Sequence, residues 1–284
     1  MRPLFRAFEA CRVRYLVVGG QAAILYGAAH FSQDLDLWID PAEENIRRFI
    51  DALEEVDARV HKLTPPLTSA YVARGHGFHF VIPFRGGPVY LDVMGRPPRV
   101  GSFRAAWKRA EIMPTPWGRL RVASIPDLVE MKKTNRPGDY DIITRLALIR
   151  AGREERLSRR VLEWTLNHLF RVEDLLEFLK RHGTRLRGRM PVGMGWIRRW
   201  AKGSVRGGRP SFAEMDRIAA RLAAKARRLQ AMGRRYWIPR LEELRTLRSA
   251  GGLVPEGTPV RRGLIGMPDR PLGARPHHGG SRRT

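Results

Sequence analysis

The stretch that most constrains the fold of this chain runs from Tyr15 to Met94, where apolar runs of strand length alternate with glycine turns and helix-forming segments. Tyr15-Leu-Val-Val18 is one such run, and Gly19-Gly20 ends it. Gln21 to Ala29 follows with good helix formers whose apolar positions fall on adjacent turns. Asp34-Leu-Asp-Leu-Trp-Ile39 alternates acidic and apolar residues, which predicts a strand carrying both carboxylates on one face. Pro41 then opens a helix, with Glu43 and Glu44 favourable in its first turn, that runs to about Glu55. His76 to Pro83, the turn Arg85-Gly-Gly87 and Pro88 to Met94 read as a β-hairpin, and residues 111–123 read as another, turning at Pro116-Trp117-Gly118.

Around this stretch the periodicity predicts a short amphipathic helix over 3–12 and, after the N-cap candidate Ser124, helices over 126–134, 139–151, 157–170 and 172–182. The expected fold class is therefore α+β: a small mixed-sheet domain over 1–125, then a helical region over 126–182. A basic helical extension, 183–250, begins Gly- and Arg-rich and regains helix periodicity over 211–233 and 239–249. The tail, 251–284, has neither apolar period nor helix formers and is expected to be disordered.

Composition narrows the partners. A chain of 284 residues, 43% hydrophobic and 29% charged, is neither fibrous nor wholly disordered. Its formal charge of +25 excludes an acidic solvating protein, and the excess is uneven. Residues 1–180 hold 28 basic and 22 acidic side chains, 181–250 hold 19 and 4, and 251–284 hold 6 and 2. Only 7 of the 53 basic residues are Lys, the pattern a GC-rich coding sequence produces, yet such a bias does not choose a location. The arginines after 183, with Trp196, Trp200, Tyr236 and Trp237 among them, could grip RNA by phosphate pairing and stacking, or belong to amphipathic helices that bury the aromatics. Cys11 is the single cysteine, so no intrachain disulfide forms, and no apolar run reaches the ~18 residues of a membrane span. Charges interrupt the apolar stretch at the amino terminus, so a soluble cytoplasmic protein without a signal peptide is expected.

The chemistry concentrates in three places. A strand–Gly19-Gly20–helix turn lets backbone come close to a bound group and aims helix N–H donors at an anion. Asp34 and Asp36 point the same way from their strand, and Asp92 sits in the apolar run Val89-Tyr-Leu-Asp-Val-Met94, where a neighbouring strand could bring it beside them. Three carboxylates on one face repel one another unless a cation lies between them, and Mg²⁺ is the hard, oxygen-liking choice. The alternative is a solvent-facing pair on a strand edge and one lone buried acid.

The order of strand, Gly-Gly, helix, Asp-x-Asp strand and a third Asp in a later strand resembles the polymerase-β-like nucleotidyltransferase superfamily. The match covers roughly residues 13–94, and within it YLVVGGQAAILYGAAHFSQDLDLWI is similar to the small bacterial members, including AbiEii-type toxin nucleotidyltransferases. The segment Leu128-Val-Glu-Met-Lys-Lys-Thr-Asn-Arg-Pro-Gly-Asp139 extends the resemblance to about residue 150. The resemblance implies that Asp34, Asp36 and Asp92 bind Mg²⁺ and catalyse NMP transfer from an NTP, with Gly19 and Gly20 holding its phosphates. It also implies an acceptor that is RNA, protein or a small molecule, and for a toxin a protein antitoxin. Many members carry Ser at the second turn position, where this chain has Gly20. Ser32, two residues before Asp34, offers a hydroxyl instead, or is an ordinary loop serine. Lys132, Lys133 and Arg136 could neutralise a triphosphate, or form a solvated helix end before Pro137. Asp139 could orient Arg136 or simply begin the next helix. His76 and His79, three apart on a strand, point to opposite faces, which favours packing or a single substrate contact over a metal cluster.

Overall fold

The structure, a computed structural model, describes residues 1–186, 195–197 and 210–263. It is an α+β fold built on one seven-stranded mixed sheet. The strands are β1 (Tyr15–Val17), β2 (Asp34–Ile39), β3 (Arg59–Val60), β4 (Gly77–Ile82), β5 (Val89–Met94), β6 (Glu111–Thr115) and β7 (Gly118–Val122). Their order across the sheet is β3-β4-β5-β2-β1-β7-β6, with β2 parallel to β5, β1 parallel to β7 and the other neighbours antiparallel. Both expected hairpins are present, as β4–β5 and β6–β7. The alternation in β2 has the expected consequence: Leu35 and Leu37 are buried, whereas Asp34 and Asp36 on the other face are only partly so.

The apolar face of the sheet packs on α1 (Arg2–Ala10) and α3 (Glu43–Glu55), joined through Phe8, Phe49 and Phe80, whose ring centroids lie 5.5 and 6.3 Å apart in turn. Helix α2 (Gly19–Leu25) starts on the glycines themselves rather than at Gln21. Three short elements carry too few residues for periodicity to reveal them: β3, α4 (Ser69–Arg74) and α5 (Phe103–Arg109). Ser124 caps α6 (Ile125–Met131) by accepting from the Asp127 amide, as expected of it. Helices α7 (Asp139–Gly152), α8 (Arg159–Asn167) and α9 (Val172–His182) then bury a second apolar cluster around Leu162, Leu166 and Leu175.

The C-terminal part differs from expectation in two respects. Residues 212–249 form one helix, α10 (Phe212–Ser249), instead of two. Pro239 lies inside it and takes away the N–H that would bond the Arg235 carbonyl, and the Arg240 guanidinium donates to the neighbouring Tyr236 carbonyl; packing on both apolar clusters accompanies the unbroken helix. Residues 251–263, expected to be disordered, return to the sheet edge. The Val60 amide donates to the Thr258 carbonyl at 2.9 Å, the Gly257 amide to Val60 at 2.8 Å and the Val260 amide to Ala58 at 2.9 Å, and the side chains of Val254 and Val260 are buried. An edge strand needs backbone partners, not an apolar period, so composition could not reveal this strap. The Arg-rich residues 187–194 and 198–209, Trp200 among them, and the tail 264–284 lie outside the described residues.

Helix α10 joins both clusters. Ile218 and Leu222 enter the helical one, while Leu229 and Leu247 pack on the sheet domain. Glu243 anchors it by accepting from Arg74 and by meeting the fully buried His76 Nε2 at 2.7 Å. His76 is therefore a packed core residue, and its Nδ1 has no hydrogen-bond partner among the described residues. Glu243→Leu would leave both ring nitrogens unsatisfied and is expected to cost about 1–3 kcal/mol. The adjacent exposed substitution Glu242→Leu should stay within about 0.5 kcal/mol. Urea unfolding of the two variants measures the difference, and equal small effects would contradict the anchoring role.

Candidate functional site

Parallel pairing of β2 with β5 sets Asp36 directly beside Asp92 and Asp34 beside Tyr90. Neighbouring strands run ~4.8 Å apart, and residues two apart along a strand lie roughly 6.6 Å apart. All three acids therefore share one half-open face. The antiparallel β4 adds His79 opposite Asp92, and its Nδ1 lies 2.7 Å from Asp92 Oδ1. His79 thus faces the acids rather than the core, as a partner that local sequence could not name because the pairing spans a hairpin register. Tyr90, on the same face, packs against the His61 ring with centroids 4.6 Å apart.

The glycine turn belongs to this face. The Gly20 amide donates to Asp36 Oδ2 at 3.0 Å. Gly19 has φ +61°, and a Cβ there would lie 1.9 Å from Asp36 Oδ2 and 2.5 Å from Asp36 Cβ, so only glycine fits. A Cβ on Gly20 would lie 2.2 Å from Ser32 Oγ. The Ser32 hydroxyl accordingly occupies the space that a side chain at position 20 would take, while donating to the Asp34 carbonyl at 3.0 Å.

Electrostatics follow from this crowding. The Asp36 carboxyl is pushed up to about 6, chiefly by burial and further by the carboxylates of Asp92 and Asp34, against the pull of the Gly20 N–H and the Lys132 ammonium. Lys132 is held 3.0 Å from Asp139 Oδ1, and Thr134 donates to the other oxygen of that carboxylate. Asp139 thus orients Lys132 and heads α7; it does not pair with Arg136, whose exposed guanidinium meets no charged partner among the described residues. Lys133 turns elsewhere, pairing with Glu130 and lining a separate cavity with α10. The expected cationic trio is therefore divided: Lys132 acts on Asp36, Lys133 points away and Arg136 reaches solvent.

Hard carboxylate oxygens crowded on one face, one of them with a raised proton affinity, suit a divalent cation. Among the described residues, however, no three Asp, Glu, His or Cys side chains already converge as a closed metal cluster. Asp36 is turned to the Gly20 amide and Asp92 to His79. Of the aromatics expected to grip RNA, Tyr236 spends its hydroxyl on the Arg96 carbonyl and Trp237 packs edge-on against it. Among the described residues no helix is long and apolar enough to cross a membrane. Neither a protein-family model nor a curated protein matches the chain.

The two glycines respond differently to a methyl group. Gly19→Ala is expected to cost about 1–3 kcal/mol through its positive φ and the Asp36 clash, with no relief from any change at 32. Gly20→Ala should cost about 1 kcal/mol and be restored by Ser32→Gly, the coupling expected of touching residues. Denaturant unfolding of the single and double variants tests this; a Gly20→Ala loss unaffected by Ser32→Gly would refute the shared space.

Proposed function

We propose that this chain is a Mg²⁺-dependent nucleotidyltransferase of the polymerase-β-like kind, moving a nucleoside monophosphate from an NTP onto an acceptor hydroxyl. The observation that carries the reading is the alignment of Asp36 with Asp92, with Asp34 on the same face and the Gly19-Gly20 turn bonded to Asp36. Asp34, Asp36 and Asp92 would hold the cation. Bound there, Mg²⁺ neutralises triphosphate charge and lowers the pKa of the attacking hydroxyl.

The chain's own residues supply the rest. The glycine turn lets phosphates approach backbone N–H groups, and the Ser32 hydroxyl stands beside it. Lys132, fixed by Asp139, and the exposed Arg136 add positive charge for the phosphates. Asp92, oriented by His79, takes the acceptor proton. The acceptor oxygen forms a bond to the α-phosphorus, the bridging bond to the β-phosphate breaks, and pyrophosphate leaves with the electron pair. The acceptor is an RNA end, a protein or a small hydroxylated molecule, and the same reading admits a toxin held by a protein antitoxin.

Nucleotide binding without transfer is the competing reading. It is favoured by the engagement of Asp36 with Gly20 and of Asp92 with His79, and by Gly20 itself, which lacks the hydroxyl common at that position of the turn.

Purified protein incubated with each α-labelled NTP, Mg²⁺ and total RNA or lysate decides between them. Label transfer is expected for the wild type and should vanish in Asp34→Asn, Asp36→Asn and Asp92→Asn. His79→Ala should lower it about 10- to 100-fold, the usual effect of losing an orienting partner of a metal ligand. In chelator, Asp36→Asn should raise the melting temperature, since it removes one of three crowded negative charges. NTP binding with no transfer to any acceptor, under Mg²⁺ or Mn²⁺, would establish the competing reading.

A further inference from the structure

A cavity of about 610 Å³ lies between the end of α6, the end of α8 and the N-terminal half of α10. Arg221, Lys225 and Arg228 recur at i, i+4 and i+7 on α10, so they fall on one helix face, and all three line this cavity. Lys133 faces them from the other wall, with the Trp196 indole beside them. No Asp or Glu is among the described lining residues. Lys133 is balanced by Glu130, but Arg221 and Arg228 have no ion pair among the described residues.

Lys225 shows what this gathering costs. Its Nζ donates to the Asn167 carbonyl at 2.5 Å and sits 4.8 Å from the Phe170 ring centroid, with no ion-paired acid among the described residues. Its pKa falls to about 8, first through burial and then through Lys133. Like charges assembled around a partly enclosed space raise its affinity for anions. The Arg221 guanidinium lies 5.3 Å from the Trp196 ring centroid, so the wall also presents a flat aromatic surface backed by a cation.

We propose that this cavity is a nucleotide-unit site separate from the carboxylate face, taking a phosphate on Arg221, Lys225 and Arg228 and a base against Trp196. Its volume falls within the ~300–1,000 Å³ of small-molecule sites. The unit can be a free nucleotide or one nucleotide of a single strand, and α10 favours the strand. From Arg217 to Leu241 the helix carries eight basic residues and no acidic one. Of these, Arg217, Arg221, Lys225, Arg228 and Arg235 fall on one helix face, and at ~1.5 Å per residue their 18 steps form a basic ridge roughly 27 Å long, which a polyanion could follow out of the cavity. A paired duplex would not serve, because its bases are stacked away from the indole.

Fluorescence anisotropy of the full chain with a labelled 12-nucleotide single-stranded RNA tests the site. AMP and UMP serve as competitors, and chelator keeps the carboxylate face free of divalent cation. The oligonucleotide is expected to bind in a salt-dependent manner and more tightly than either mononucleotide. Trp196→Ala should weaken binding about 5- to 150-fold, the size of one lost base stack. Arg221→Ala/Arg228→Ala, both at exposed positions, should weaken it at least 10-fold at unchanged melting temperature and flatten the salt dependence by ~0.7 per lost phosphate contact. The control Arg245→Ala/Arg248→Ala, on the same helix beyond the ridge, should have little effect. Equal affinity for mononucleotide and oligonucleotide, still sensitive to Trp196 and Arg221, assigns the site to free nucleotide. No binding of either, or losses no larger than in the control, overturns the proposal. Because turnover plays no part in this measurement, its failure leaves the nucleotidyl-transfer reading untouched, and the reverse holds equally.

Discussion

A single hydrogen bond, from the Gly20 amide to the Asp36 carboxylate, ties the turn after β1 to the acidic face of β2. It forms only because Gly19 lacks a Cβ that would otherwise overlap Asp36, and because its backbone holds φ +61°. Through this contact the start of α2, the Asp-x-Asp strand and, by register, Asp92 of β5 share one location. The opposite face of the same strands is apolar and held by Phe49 and Phe80, so a slip of one residue would exchange acids and core. Burial of Leu35, Leu37 and Leu91 thereby fixes where Asp34, Asp36 and Asp92 point.

The acidic face carries an electrostatic cost that the fold only partly offsets. The Gly20 N–H and Lys132 favour the Asp36 anion, while burial and two neighbouring carboxylates oppose it more strongly. Asp92 meets His79 Nδ1 on its other side. Such opposing demands on one side chain are common where structure yields to chemistry, and no packing role explains three acids on this face. Lys132 in turn depends on Asp139 and Thr134, so the beginning of α7 supports the site although it lies outside the sheet.

Much of this was legible in the sequence wherever the information is local. The alternation in Asp34–Ile39 located β2 to the residue, and the glycine-centred hairpins and the Ser124 cap each have a short-range cause. What was not legible depends on partners distant in sequence. His79 is separated from Asp92 by a hairpin, and its role follows from register rather than from its own neighbours. The strap over 251–263 contacts Ala58, Val60 and Thr64 through backbone groups, which every residue type possesses. A rule that ends a helix at any proline would divide α10 at Pro239, yet its packing on two clusters keeps it one helix. Ser32 took its meaning only once Gly20 was seen to lie against it.

The uneven charge gains a physical sense from the same geometry. Lys132 and Lys133 are consecutive at the end of α6, yet the first answers the acids of the sheet and the second enters a cavity walled by the cations of α10. A coding bias toward arginine can raise the total charge, but it cannot arrange Arg221, Lys225 and Arg228 on one helix face or leave that face without an acid. Burying Lys225 among other cations lowers its proton affinity, a penalty that an anion in the cavity would remove. The acidic face and the basic cavity thus present opposite electrostatic deficits on either side of one helix terminus: the first is one that a cation would relieve, the second one that a phosphate would.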